Sequence, residues 1–216
     1  MAREEWTNWA GNQRCRPAAV ERPGTEDEVA AVVRRAAEEG RRVKVVGRGH
    51  SFTDIATTEG VLVDLRHLTG IVGVDAEQGL ATVRAGTTLA DLNRLLAERG
   101  LALPNLGDIA YQTVAGATST GTHGTGLRFG NLSSGIVGLR LVDGAGEVRV
   151  GSPDADAELL AVGRVGLGAL GILTELTVRC VPAFNLHAVE EPRRVDEVLA
   201  EWEEILARED HFEFFW

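Results

Sequence analysis

Apolar positions along this chain recur with two alternating periods, and the switches between them mark out its elements. Val29, Ala30, Val32, Val33, Ala36 and Ala37 repeat at helical spacing. Thr25 with Glu28 makes a capping box ahead of them, and Gly40 supplies the stop. Strand character follows at 43–46 and at 61–64. Together with the extended stretch punctuated by Pro17 and Pro23, these elements predict a small α/β lobe. From Ile71 the pattern changes. Residues 71–75 and 80–84 read as strands of a hairpin around Glu77-Gln78-Gly79. Thr88 with Asp91 caps a second helix carrying Leu89, Leu92, Leu95 and Leu96 on one face, and Gly100 ends it. Residues 101–106 are extended, and 114–120 predict a short helix of very small side chains. Strands at 136–142 and 147–151 pair around Asp143-Gly144-Ala145-Gly146, a helix covers 156–162, and a long alternating strand covers 172–181. Pro182 marks a boundary. The expected class is α+β.

Glycine adds what periodicity does not. The chain has 26 glycines in 216 residues, well above the usual ~7%, and they gather at 47–49, 107–130 and 163–171. Such clusters predict bare backbone pressed against something. The first cluster lies in V-K-V-V-G-R-G-H-S-F, residues 43–52, where a strand runs into a tight turn and then His50. Successive N–H groups in a turn of this kind form a concave nest for phosphate oxygens. A dinucleotide fold of the Rossmann type also sets G-x-G after a strand, and Asp64 supplies its acidic residue. However, Phe52 stands where the third glycine belongs. Residues 53–60 leave room for only about two helical turns before the next strand, and they are poor helix formers. A P-loop needs Gly-Lys-Ser/Thr, whereas the sole lysine, Lys44, lies elsewhere.

Charge and composition exclude other classes. A net charge of −10 argues against a nucleic-acid partner, which calls for clustered Lys and Arg. Cys15 and Cys180 fit no metal spacing and read as reduced thiols. The opening Met1-Ala2-Arg3-Glu4-Glu5-Trp6 has no apolar signal region, and no apolar run reaches a membrane span. The expected location is cytoplasmic.

On Asn8-Trp9-Ala10-Gly11, residues 47–54, Asn105-Leu106-Gly107, residues 114–126 and residues 168–172, the chain resembles the FAD-binding (PCMH-type) part of the vanillyl-alcohol-oxidase-type flavoproteins. Within that group it is most similar to the aldonolactone and alditol oxidases. The resemblance implies two α+β lobes, about 1–68 and 69–181, with FAD between them. It also implies that 182–216 begins a substrate domain. His50 would hold the flavin covalently through the 8α-methyl of its ring. Gly47, Arg48, Gly49 and Ser51 would donate to the pyrophosphate, with Phe52 in the same loop. Gly107, Ala115, Ser119, Gly121, Thr122, His123 and Gly124 would line the cofactor from the other lobe. Gly168, Gly171 and Ile172 would present backbone to its remaining length. The implied reaction oxidises a CH–OH group of a sugar-acid lactone or a polyol, with hydride passing to flavin N5 and then to O2 or another acceptor.

Family members carry a late His-Trp-Gly-Lys segment that this chain, with no lysine after Lys44, does not contain. Residues 184–190, 195–207 and 211–216 resemble the opening strand, helix and strand of the substrate domain. The expectation is therefore a truncated FAD-binding region, inactive alone, whose catalytic residues lie elsewhere. The alternatives are a non-catalytic FAD-binding module and an NADPH-dependent reductase of the cell-wall-precursor type.

Overall fold

A computed structural model describes residues 4–216; residues 1–3, part of the expected first lobe and of the stretch read for a signal, lie outside the described residues. In chain order the elements are β1 (Trp6–Thr7), β2 (Arg14–Cys15), β3 (Ala19–Glu21), α1 (Glu26–Glu38), β4 (Val43–Val46) and β5 (Val61–Asp64). Next come β6 (Ile71–Asp75), β7 (Leu80–Arg84), α2 (Leu89–Ala97), β8 (Leu101–Ala102) and α3 (Val114–Ser119). They are followed by β9 (Ile136–Val142), β10 (Val148–Gly151), α4 (Ala157–Gly163), β11 (Ile172–Arg179), β12 (Val181–Pro182), α5 (Val195–Ala200) and α6 (Trp202–Arg208).

Two sheets organise the molecule. A parallel sheet of three strands has the order β3-β5-β4, so α1 is the crossover from one edge strand to the other. Residues 65–70 then lead into an antiparallel sheet of five strands in the order β10-β9-β11-β7-β6. The change of pattern at Ile71 is the change of sheet. Both predicted hairpins form, β6 with β7 and β9 with β10. Thr25 and Thr88 cap their helices, each accepting from the backbone N–H three residues on. After the glycine turn, residues 51–60 form bends and turns but no helix, which is not the continuation a dinucleotide fold of the Rossmann type requires.

The sheets share one core. The cluster of buried side chains runs from Val29, Val32 and Val33 of α1 and Val61 and Val63 of β5 to Leu89, Leu92 and Leu96 of α2. It continues through Leu139 and Leu141 of β9 to Leu176 of β11. Polar bonds fasten α1 to the antiparallel sheet. Arg34 Nη1 donates to Gly146 O (2.8 Å). The Glu26 carboxylate accepts from Arg140 Nη2 (2.6 Å) and from the Thr174 hydroxyl (2.6 Å). Arg140 lies on β9 and Thr174 on β11, so a single carboxylate ties the first turn of α1 to two neighbouring strands.

The Arg140 hydrogen bond, opposed by desolvation, holds the Glu26 carboxyl below the usual carboxylate range. A depressed folded-state pKa contributes stability that is present above the unfolded pKa and lost as pH falls through the folded one. Glu26→Gln is expected to cost roughly 1.5–3 kcal/mol at neutral pH, the range for charge-assisted bonds. The deficit should shrink in acid, and urea unfolding at a series of pH values measures it. An equal deficit at every pH would contradict the assignment.

The structure differs from the sequence reading toward the C-terminus. The strand expected over 172–181 leaves the large sheet after Arg179, and Val181–Pro182 pairs instead with Leu101–Ala102. The helix expected over 195–207 breaks at Glu201 (φ −96°, ψ 8°), whose carboxylate pairs with Arg193. Residues 184–190 and 211–216 form no strand, because no edge among the described residues pairs with their backbone. Side chains anchor this end instead: Phe129 stacks on His211 at 4.8 Å, and Arg128 pairs with Asp210.

Candidate cofactor site

One groove collects the end of β4, the first glycine loop, α3 and the segment 163–171. Among the residues expected at the site, Gly47, Arg48, Gly49, His50 and Ser51 line its first wall, Ala115 and Ser119 its second, and Gly168 and Gly171 its third. The loop exists because β4 ends at Val46 and the chain must turn before Asp64 closes the parallel sheet.

The backbone N–H groups of Arg48, Gly49, His50 and Ser51 donate to no main-chain carbonyl among the described residues. Three carbonyls of the same loop are held by the segment 8–12. Trp9 N–H donates to Gly49 O (2.8 Å), Asn8 Nδ2 to Ser51 O (2.9 Å), and Asn12 Nδ2 to Phe52 O (3.0 Å). With three of its oxygens engaged and the amides of residues 48–51 free, the loop is a set of donors suited to an anion. The first turn of α3 is not such a set. Val114 and Ala115 donate to the Thr87 and Ala85 carbonyls, and Gly116 to Thr113 Oγ1.

The charge of the groove opposes that of the whole molecule. Lys44 and Arg48 are among the described residues that line it, and no Asp or Glu is. His50 sits at the end of the donor loop. Burial, and secondarily the Arg48 guanidinium, holds its imidazole below the ordinary histidine range, so the neutral ring with a free lone pair is favoured.

Gly47 fastens two of the walls together. A Cβ on it would fall on Thr113 Oγ1, the side chain that caps α3. Gly171 has φ +143°, and a Cβ there would meet the Val142 carbonyl of β9.

The remaining expected residues lie outside the groove wall. Phe52 is exposed and turns its ring toward the edge of Trp9. Ile172 is buried in the core. Gly107 packs against the His123 carbonyl and the Thr122 methyl, and Gly124 against the Leu106 carbonyl. The chain leaves the groove because α3 ends at Ser119. Gly121 and Thr122 bond back to the Thr118 and Ala117 carbonyls, and His123 Nδ1 lies 2.9 Å from Gly124 O. The sequence reading missed Lys44, Gln112, Thr113, Thr120, Leu167 and Leu170, all of which line the groove. It also missed the hold of Asn8 on the loop. Asn8 is buried, and a polar side chain set between two tryptophans was the available signal.

Free amides, cations without carboxylates and apolar side chains give this groove a chemistry suited to a ligand with an anionic centre. The chain belongs to the FAD binding domain family, whose model matches residues 17–152. A second family, D-arabinono-1,4-lactone oxidase, matches residues 176–216. The chain is 48% identical to an L-gulono-1,4-lactone dehydrogenase of Mycobacterium tuberculosis over 210 residues, 97% of this chain and 48% of the relative. It is 38% identical to an L-gulonolactone oxidase of Scyliorhinus torazame, over 98% of this chain and 48% of that one. It is also 40% identical to a D-arabinono-1,4-lactone oxidase of Eremothecium gossypii, over 97% and 40%. The chain thus spans about half the length, or less, of these relatives. No helix among the described residues is long and apolar enough to cross a membrane.

Proposed function

We propose that this chain is the FAD-binding part of an oxidoreductase that oxidises the secondary alcohol beside the carbonyl of a sugar-acid lactone. The observation that carries the reading is the groove wall at residues 47–51, where unpaired amides and an imidazole stand side by side and no carboxylate opposes them. The family supplies FAD, and the relatives' names supply the lactone.

In this reading the amides of Arg48, Gly49 and Ser51 and the Arg48 guanidinium hold the cofactor's diphosphate. Ala115 and Ser119 bound its middle, and Gly168 and Gly171 lie along its remaining length. The neutral His50 imidazole offers its lone pair to the ring and becomes the covalent tether. Bound FAD supplies the acceptor, at N5, for the hydride leaving the substrate's carbinol carbon. Residues of about 1–68 and 69–181 act as two lobes around it, and 182–216 opens the substrate domain. The acid or base at the oxidised carbon lies outside this chain, and the location is cytoplasmic.

O2 is the proposed final acceptor; the relative named a dehydrogenase favours a different one as the second reading. An alditol is the alternative substrate, and a non-catalytic FAD-binding module the alternative role. The test is a product screen of the longer protein with aldonolactones and alditols, measuring peroxide and dye reduction in parallel. Turnover of aldonolactones well above alditols is expected. Turnover of alditols alone would overturn the lactone assignment, and dye reduction without peroxide would overturn O2.

A further inference from the structure

Trp9 is 65% exposed, so burial does not account for its place in the structure. Its ring lies over the His50 imidazole, with centroids 5.3 Å apart and planes 27° from parallel. Phe52 meets it edge-on at 6.5 Å and 84°. The same short segment holds the donor loop. Besides the bonds from Trp9 N–H, Asn8 and Asn12, Gln13 Nε2 donates to Phe52 O (3.2 Å). Asn8 is fixed in turn: its Oδ1 accepts from Gln13 N–H (3.0 Å) and its Nδ2 also donates to Asn12 Oδ1 (2.7 Å). Every bond from this segment to the loop takes a carbonyl oxygen and leaves the loop's N–H groups free.

We propose that Asn8 and Trp9 are positioning residues for His50: Asn8 suspends the loop by its carbonyls, and the Trp9 indole braces the imidazole in the orientation that reaches the flavin. The proposal rests on the reading of the groove as a flavin site. The step it serves forms a bond between an imidazole nitrogen of His50 and the carbon of the 8α-methyl. One C–H and one N–H are lost, and two electrons and two protons pass to dioxygen. A tilted imidazole would meet that carbon rarely, however well the diphosphate were held.

Trp9, being largely exposed, can be changed with less risk to folding than the buried Asn8. The full chain, produced without flavin, is mixed with FAD, and two quantities are followed: reversible uptake by fluorescence, and flavin retained after acid denaturation. Trp9→Ala is expected to slow covalent incorporation roughly tenfold more than it weakens reversible uptake, which is what one lost aromatic stack is worth. Trp9→Phe should recover incorporation to within about threefold of the original. A readout without cofactor accompanies these: the His50 ring protons, shifted upfield by the indole in proton NMR, should move back in Trp9→Ala. Covalent incorporation by Trp9→Ala at the original rate, or ring protons that do not move, would overturn the brace. The flavin-site reading fails differently, through an original chain that takes up no FAD, and that result removes this role as well.

Discussion

Gly47→Val should abolish most FAD binding. The new Cβ would fall on Thr113 Oγ1, so either the donor loop or the start of α3 must move. If the loop moves, its amides no longer converge on one anion. Losing two charge-assisted bonds costs about 3 kcal/mol, roughly 100-fold in affinity. If the helix moves, Thr113 gives up the bond it accepts from Gly116 N–H (3.1 Å), a loss of about 1 kcal/mol of cap stability, and the second groove wall shifts. Flavin fluorescence titration, with circular dichroism to check the fold, separates the two. A folded Gly47→Val chain that binds FAD like the original would show that the two walls do not form one site.

Gly171→Ala should be the most destabilising single change among those considered. At φ +143° only glycine is at ease, and a side chain there stores about 1–3 kcal/mol of backbone strain. The added methyl would also meet the Val142 carbonyl, at the point where β11 joins β9. A total near 3 kcal/mol lowers the melting temperature by roughly 6–12 °C in a domain of this size. Thermal unfolding in the absence of flavin measures it. An unchanged melting temperature together with lost FAD affinity would mean that this glycine serves the cofactor alone.

The contrast between these glycines explains how far the sequence could be read. Caps and periods specify local geometry, so Thr25, Thr88 and the two hairpins were legible from spacing. Glycine clusters signal close backbone approach but do not name the partner. At residues 47–51 the approach leaves amides free in a groove. At Gly107 and Gly124 the partners are each other's segments, and at Gly171 the partner is a neighbouring strand. Residues 121–124 therefore read like 47–49 in sequence and yet stand outside the groove, because a six-residue α3 closes on itself before reaching them. Asn8 was hidden for a different reason. Its hydrogen bond to Ser51 O spans 43 residues, and no local pattern encodes such a contact. At the far end the family resemblance implied a strand at His211–Trp216, but a strand also needs an edge to bond with. Packing of Trp202 on Phe212 and Phe214 occupies those rings instead.

The central claim is that the loop at residues 47–51 holds FAD with the imidazole at its end bonded to the ring. Peptide mapping of acid-denatured, flavin-loaded protein tests it most directly. The account predicts a single yellow, fluorescent peptide containing His50, heavier by one FAD less two hydrogens, and none from the His50→Ala chain. Flavin found entirely in the acid supernatant, or on a peptide without His50, would contradict it.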